Sequence, residues 1–163
     1  MRNVLAPPMP ASASVGLFFV RALVGLAFVF HGYPKIVNPL AWMGSKMLTV
    51  PWTGASIGPV PDWLQALVAF AEFFGGIALV VGLLTRLAAL ALLVDMIVAC
   101  FFVELPHGVP FVASGHTLEP TLAYMVTTFM LLLTGPGVVS IDAALTPKRS
   151  NTAAPSSEVR KVA

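Results

Sequence analysis

Charge is scarce in this sequence of 163 residues: 10% are Asp, Glu, Lys or Arg, and 58% are hydrophobic. An ordinary soluble domain carries about 25% charged residues, and the mean hydropathy of this chain is +0.90. The shortage of charge therefore excludes an ordinary soluble domain. The formal net charge is only +2, too little for a surface that neutralises phosphates, so nucleic acid is not an expected partner.

Cysteine is nearly absent as well, since Cys100 is the one cysteine in the chain. A single thiol excludes an intrachain disulfide, a CxxC redox pair and a four-thiolate zinc site. The sequence also has no glycine-rich dinucleotide loop, no haem-binding histidine pair within a helix and no HxxxH or ExxH pair on one helix. We therefore predict no metal site, and a redox role would need a borrowed group such as a bound quinone or a partner protein.

Long apolar stretches are what the sequence does have. A membrane-spanning helix needs about 20 residues, and the apolar stretches predict four of them, over about 15–31, 63–84, 87–104 and 118–134. Pro34 is expected to end the first helix, and the short connection at Thr85 and Arg86 forces an antiparallel hairpin. The predicted fold is all-α: a polytopic, antiparallel bundle of four transmembrane helices in a single domain, residues 1–145.

Two segments lie outside the predicted spans. The long first loop, about 34–62, contains five prolines and an apolar stretch at 40–48 that is suited to the membrane interface. Residues 146–163 are polar and rich in Ala, Ser and Pro, which predicts a disordered tail. With both termini in the cytoplasm, six basic residues lie inside and only Lys35 and Lys46 outside, which favours that orientation and makes the first loop external.

Ionisable residues inside the predicted spans are the main candidates for function, because each costs about 2.5 to 3.5 kcal/mol at the centre of a bilayer. Arg21, Glu72 and Asp95 lie at similar predicted depths in the first three helices. We expect them to form a proton-handling cluster in the bundle. One guanidinium and two carboxyls leave a surplus negative charge, so one carboxyl, preferably that of Asp95, is expected to be protonated. The alternative is a structural ion pair between Arg21 and Glu72.

A second polar group is predicted at the external ends of the helices. His31 and Lys35 follow the first helix, Glu104 and His107 follow the third, and His116 and Glu119 precede the fourth. We interpret His31, Lys35, Glu104 and Glu119 as candidates for binding a ligand at a polar mouth. Tyr124 in the fourth helix could donate a hydrogen bond to a quinone carbonyl or to Glu72. Each of these residues could instead simply end a helix in the headgroup region or pack in the bundle.

The sequence resembles the DoxX family of small bacterial membrane proteins. The resemblance rests on a set of motifs in a fixed order: Arg21 with Gly25, HGYPK at 31–35, Glu72 with Gly75 and Gly76, GLLTRLAA at 82–89, and GPGVVSID at 135–142. It implies a four-helix protein of the bacterial cytoplasmic (inner) membrane that acts as an oxidoreductase or as the membrane subunit of a redox system. It also implies that Arg21, His31, Lys35 and Glu72 are the recurring polar positions.

Three functions remain open at this stage. The first is a redox-linked subunit that binds quinone or handles its protons, with the lipid bilayer around it and a soluble redox partner or further copies of the chain as possible partners. The second is a proton-coupled transporter of small molecules that uses Glu72 or Asp95 as the proton carrier. The third is a non-catalytic scaffold that recruits soluble redox enzymes.

Overall fold

The computed structural model describes residues 10–44 and 47–146. Five α-helices lie in these ranges: α1 Ala11–Val37, α2 Asp62–Val81, α3 Thr85–Val98, α4 Leu118–Thr134 and α5 Ile141–Leu145. A π-helical segment, Ala99–Glu104, continues α3 without a break. The predicted tail beyond Thr146 lies outside the described residues.

Three helices are long and apolar enough to cross a membrane: Ser12–Val37, Asp62–Val81 and Thr85–Glu104. The fourth, α4, is apolar but has only 17 residues. The three long helices agree with the first three predicted spans. The predicted boundaries differ most at α1, which begins four residues before position 15 and continues six residues past position 31.

The first helix does not end at Pro34, so that prediction is wrong. Proline removes one backbone hydrogen bond from a helix interior, but Pro34 lies only three residues before the end of α1, where little of the helix remains to be disrupted. Gly32 also fixes this turn, because a Cβ at Gly32 would lie 2.5 Å from the backbone nitrogen of Phe73 in α2. The helical continuation carries Lys35 into the bundle.

The first loop is not purely irregular, and the all-α prediction is incorrect in this detail. Two short strands, β1 Met47–Thr49 and β2 Ser56–Pro59, form an antiparallel hairpin with an irregularity between Leu48 and Thr49. The turn between them contains Gly54 with a positive φ of 68°, which glycine adopts without the strain of a Cβ. The sequence signal was weak because three or four residues are too few to show a clear alternation.

Close contact between α1 and α2 organises the bundle. Gly25 and Gly76 face each other so closely that a Cβ on either would lie 2.7 Å from the carbonyl oxygen of the other. Small residues at such crossings let helix backbones approach in membrane proteins. The helices are antiparallel, since Arg21 lies beside Gly82 at one end and Lys35 beside Glu72 at the other.

The connection between α2 and α3 is held by α5. Gly82 ends α2 in the left-handed conformation with a φ of 72°, and the side chain of Asp142 accepts hydrogen bonds from the backbone N–H groups of Leu84 (2.7 Å) and Thr85 (2.9 Å). Asp142 thus supplies acceptors to the free N–H groups at the start of α3. Ser140 caps α5 in turn by accepting from the N–H of Ala143 at 3.0 Å. We call this region, with Arg21, the turn end of the bundle.

Candidate functional site

A cavity of about 740 Å³ lies between the helices at the opposite end of the bundle, which we call the cavity end. Its walls come from all four long helices, from the π segment and from the first loop. Most of the wall is apolar, with Phe28, Leu64, Val68 and Met96 among the lining side chains. A volume of 300–1,000 Å³ with an apolar wall and a few polar groups is typical of sites for small organic ligands.

Most of the polar residues singled out in the sequence line this cavity. They are His31, Lys35, Glu72, Asp95, Glu104, His116 and Tyr124. Arg21 and Glu119 do not line it, and Glu119 is exposed in the first turn of α4. Glu72 and Asp95 lie in the same cavity wall, and the cation beside Glu72 is Lys35 and not the expected Arg21.

Lys35 is the partner of Glu72, so the predicted pairing of Arg21 with Glu72 is wrong. The Nζ of Lys35 donates to Oε1 of Glu72 at 2.5 Å, and Glu72 is only 2% exposed. Lys35 lies 14 positions beyond Arg21 on α1, a rise of about 20 Å at 1.5 Å per residue. The prediction failed because it ended α1 before Lys35 and left Arg21 as the one cation within the first span.

Asp95 of α3 lines the same cavity as Glu72 and Lys35. The cavity wall thus holds two carboxyls near one ammonium, and that ammonium belongs to Lys35 and not to Arg21. One oxygen of each carboxyl, Oε2 of Glu72 and Oδ2 of Asp95, is buried without a hydrogen-bond partner. Buried polar atoms are nearly always paired in folded proteins, so two such atoms in one cavity wall are candidates for binding a proton or a ligand.

The indole of Trp42 holds Lys35 from its other side. The Nζ of Lys35 lies 4.3 Å from the centre of that ring, a distance at which the cation is attracted to the aromatic face. Trp42 is itself fixed, because its Nε1 donates to the carbonyl oxygen of Gln65 at 2.9 Å. The side chain of Gln65 accepts from the N–H of Met43 and donates to the carbonyl of Val60. This network attaches the first loop to α2 and closes one wall of the cavity.

Glu104 forms a second polar group in the same cavity. It ends the π segment, is 7% exposed, and accepts a hydrogen bond from Oγ1 of Thr121 at 2.9 Å. Nε2 of His116 lies 3.3 Å from the same carboxyl oxygen. The other oxygen, Oε2, is buried without a partner. π turns within helices are frequent at functional sites, and here the π turn sets the position of a buried carboxyl.

His31 and Tyr124 stand together at a third side of the cavity. Their ring centres are 5.8 Å apart in an edge-to-face arrangement, and Tyr124 also lies against Phe28 with 5.2 Å between ring centres. Nδ1 of His31 lies 2.8 Å from the carbonyl oxygen of Ala27, which fixes the orientation of the imidazole. No hydrogen bond of the Tyr124 hydroxyl to Glu72 is formed among the described residues, contrary to one of the two roles expected for it.

Arg21 belongs to the turn end. It is 1% exposed, and its guanidinium donates to the carbonyl oxygens of Pro136 and, at 2.6 Å, Val139. Burial by itself raises the pKa of the nearby Asp142, but the N–H donors of Thr85 and Leu84 and the charge of Arg21 outweigh burial and hold that pKa below its ordinary value. Arg21 and Asp142 therefore link α1, the α2–α3 connection and the GPGVVSID segment, a structural role.

Several residues of these sites were not predicted from the sequence. Trp42, Gln65 and Thr121 were not among the predicted site residues, because nothing in their sequence neighbourhoods indicates a site. Lys35 could have been found, because it lies four positions after His31 and would share its helix face if α1 passed through Pro34. Ser140 could also have been found as an N-cap, since Ser is a preferred residue there. The bonds that Asp142 accepts from Leu84 and Thr85 could not, because those residues are 58 and 57 positions away.

The geometry allows proton exchange and ligand binding but offers little for a metal. In the part of the chain that the structure describes, no three His, Cys, Asp or Glu side chains are grouped closely enough to hold a metal ion. The cavity instead presents one ammonium, three carboxyls, two imidazoles and a phenol. Such donors and acceptors in an otherwise apolar wall are typical of a site for a small organic ligand.

Comparison with known proteins assigns the family. The family model DoxX matches residues 16–105, which is more than half of the chain. An uncharacterised membrane protein of Mycobacterium tuberculosis is 30% identical over 88% of this chain and 91% of its own length. The Escherichia coli protein named "Inner membrane protein YqjF" is 30% identical over 82% of this chain and 95% of its own length.

A third relative carries the one functional name among these proteins. It is the Bacillus subtilis protein named "Putative oxidoreductase CatD", 28% identical over 82% of this chain and 90% of its own length. No solved structure matches the chain. The matched segment contains most of α1, all of α2 and α3, and the π segment, and so includes Lys35, Glu72, Asp95 and Glu104. The chain therefore belongs to the DoxX family of membrane proteins.

Proposed function

We propose that this protein is the membrane subunit of a redox system, that its cavity binds a quinone, and that Lys35, Glu72 and Asp95 handle the protons of quinone reduction. The observation that carries the proposal is the surplus buried carboxyl in an apolar cavity of about 740 Å³. A quinone takes up two protons with two electrons when it is reduced, so a site for it needs proton donors. The oxidoreductase name of one relative also supports a redox role.

The proposal includes a topology of four transmembrane helices. α4 has 17 residues, a length of about 25 Å and the lower limit for crossing a hydrocarbon core of about 30 Å. Its buried side chains Thr121, Thr128 and Leu131 face the bundle, and it contributes to the cavity wall. The excess of basic residues near the turn end, Arg86 among them, supports a cytoplasmic position for that end and for both termini. The cavity end and the long first loop face outward.

Each polar residue has a role in the proposed site. The ammonium of Lys35 and the hydroxyl of Tyr124 donate hydrogen bonds to carbonyl oxygens of the ligand. Asp95 and Glu72 share one proton, because two carboxylates beside a single ammonium would otherwise leave a desolvated negative charge. That shared proton is available to the ligand and is replaced from the external side. His31, fixed by the carbonyl of Ala27, is a further donor at the edge of the cavity.

Electrons must reach the site from another protein in this proposal. The sequence has one cysteine and no dinucleotide loop, so the chain supplies neither a dithiol nor a nucleotide site of a known pattern. We propose a soluble redox protein as the electron donor, docking on the cytoplasmic or the external face. A second copy of this chain is a candidate partner for assembly and not an electron donor, because it has the same lack of redox groups.

The test is ligand binding by the full-length protein in a mild detergent. A short-chain ubiquinone or menaquinone analogue is titrated while the fluorescence of Trp42 and the other tryptophans is followed, and mass spectrometry of the purified protein measures any quinone that co-purifies. Lys35→Met and Asp95→Asn should each weaken binding by roughly tenfold or more, equivalent to about 1.4 kcal/mol. Asp62→Asn is the matched control, because Asp62 is an exposed carboxyl outside the cavity.

Two results would decide against the proposal. Failure of every quinone analogue to bind, or binding that is unchanged in both Lys35→Met and Asp95→Asn, contradicts it. Proton uptake by proteoliposomes that depends on a solute gradient, without any redox substrate, would then favour the transporter. A Glu72→Gln variant that loses stability while partner function survives would favour the scaffold.

A further inference from the structure

We propose that Glu104 and His116 form a proton port between the external water and the cavity, separate from the Lys35, Glu72 and Asp95 cluster that the port supplies. The inference rests on the proposed proton handling at Asp95 and adds the route by which that proton is replaced. Three features support it: the exposure of His116, the burial of Glu104, and the cavity that separates Glu104 from Asp95.

His116 is the outer part of the port. Its side chain is 72% exposed, while its Nε2 lies 3.3 Å from Oε1 of the buried Glu104. An imidazole is the side chain whose ordinary pKa lies closest to neutral pH. It can accept a proton from water on Nδ1 and release one from Nε2 to the carboxylate, so that one proton enters and one leaves. Its neighbours Gly115 and Thr117 line the cavity mouth, so His116 stands at the entrance.

Glu104 is the inner part of the port. Oε1 receives the hydrogen bond of Thr121 and faces His116, whereas Oε2 is buried without a partner and belongs to a cavity-lining side chain. Oε1 is therefore the oxygen that interacts with His116, and Oε2 is the oxygen without a partner. The neighbouring Cys100 is the other titratable group that interacts with Glu104 from the π segment. A proton gained from His116 can leave from the free oxygen to water in the cavity.

The distance from Glu104 to Asp95 fits transfer through water. The two residues are nine positions apart on one continuous helix, a rise of about 13 Å at 1.5 Å per residue. A file of about four waters at ordinary hydrogen-bond spacing spans that distance. A cavity of about 740 Å³ holds many more waters than that, at about 30 Å³ for each. Glu104 and Asp95 line the same cavity, so the file needs no opening of the bundle.

The experiment measures hydrogen–deuterium exchange of the Asp95 carboxyl and needs no quinone. The full-length protein in detergent is switched rapidly to deuterated buffer while infrared spectroscopy follows the carboxyl band that Asp95→Asn removes. Glu104→Gln should slow the exchange of that band by roughly tenfold or more, the low end of what a positioned acid–base group contributes. The amide of Gln still accepts the hydrogen bond of Thr121, which preserves the local fold.

His116→Ala provides the second arm and the chemical rescue. It should slow the exchange similarly, and added imidazole should restore the rate in His116→Ala but not in Glu104→Gln. His107→Ala is the matched control, because His107 is exposed near the same loop, does not line the cavity, and lies against the carbonyl of Val103 instead. A merely structural role for His116 would not be rescued by imidazole.

The outcomes separate the port from the quinone site. A change of less than about threefold in Glu104→Gln, or a lack of imidazole rescue in His116→Ala, overturns the port. The absence of any protonated Asp95 or Glu72 band overturns the port together with the proposed proton handling. Slowed exchange with rescue, in a protein that binds no quinone analogue, retains the port and removes the quinone.

Discussion

The two ends of the bundle use their charged side chains differently. At the turn end, both carboxyl oxygens of Asp142 accept backbone N–H groups, and the guanidinium of Arg21 donates to two backbone carbonyls. At the cavity end, Glu72, Asp95 and Glu104 each keep one buried oxygen without a partner. The charges of the turn end connect segments of the chain, whereas the three carboxyls of the cavity end have incomplete hydrogen bonding.

The difference matters because unpaired buried charge lowers stability. A carboxyl whose hydrogen bonds are complete can stabilise a fold, whereas a desolvated and incompletely paired carboxyl usually costs free energy. Binding and catalytic sites often keep charged groups of this kind in spite of their cost in stability. The same substitution should therefore have opposite effects at the two ends: loss of stability at the turn end, and loss of function with unchanged or higher stability at the cavity end.

The largest expected loss of stability follows Arg21→Ala. The change leaves the carbonyls of Pro136 and Val139 without their charged donor and opens a space beside Gly82. Hydrogen bonds to charged groups contribute about 1.5 to 3 kcal/mol each, so the free energy of unfolding should fall by about 3 kcal/mol. Unfolding in mixed micelles measures it. Asp95→Asn is the comparison variant, because it leaves the ion pair of Lys35 with Glu72 intact, and an equal loss there would contradict the division between the two ends.

A smaller loss, about 1.5 kcal/mol, is expected for Asp142→Asn, because an amide can accept from only one of the two N–H groups of Leu84 and Thr85. The pKa of Asp142 is held below its ordinary value, so its stabilising contribution is present above that ordinary value. The contribution is lost as the pH falls below about 4 and through the lowered pKa. The part of the acid unfolding transition that comes from protonation of Asp142 should therefore be absent in Asp142→Asn, as followed by circular dichroism. An acid transition identical to wild type would refute this role.

Asp95→Asn tests the cavity end with the same chemical change. The ion pair of Lys35 with Glu72 remains, and the surplus buried carboxyl is removed. The free energy of unfolding should stay the same or rise by about 1 kcal/mol, while the binding measured above is weakened. A loss of stability as large as that of Asp142→Asn would mean that Asp95 is a structural residue.

The comparison also explains what could be predicted from the sequence. Hydrophobic length placed three spans correctly, because the cost of burying polar backbone leaves few alternatives to long apolar helices. Glu72 and Asp95 could be recognised as candidates because they are charged residues inside apolar stretches. The β-hairpin of the first loop and the π turn at Ala99–Glu104 did not, since both are short and depend on contacts distant in sequence.

The mistaken partner of Glu72 came from one local rule. Proline was expected to end α1 at position 34, and this removed Lys35 from the bundle and left Arg21 as the nearest cation. The contacts of Gly32 with α2 decide otherwise, and they can be seen only when the two helices are packed. The prediction of one cation beside two carboxyls does not depend on this error, because it does not require the cation to be a particular residue.

The smallest effect is expected at a strained position of the turn end. Leu84 has a φ of 48°, the one positive φ of a non-glycine residue in the described part of the chain, and the left-handed conformation costs an ordinary L-residue about 1–2 kcal/mol. Asn tolerates this conformation better, so Leu84→Asn should raise the free energy of unfolding by about 0.5 kcal/mol, measured in mixed micelles.

Leu83→Asn is the adjacent control without a positive φ and should give no gain. A stabilisation by Leu83→Asn equal to that of Leu84→Asn would assign the effect to polarity at the membrane surface. A gain confined to Leu84→Asn would show that the hydrogen bonds accepted by Asp142 hold this connection in spite of backbone strain. The carboxyl oxygens without partners at the cavity end make no equivalent bonds.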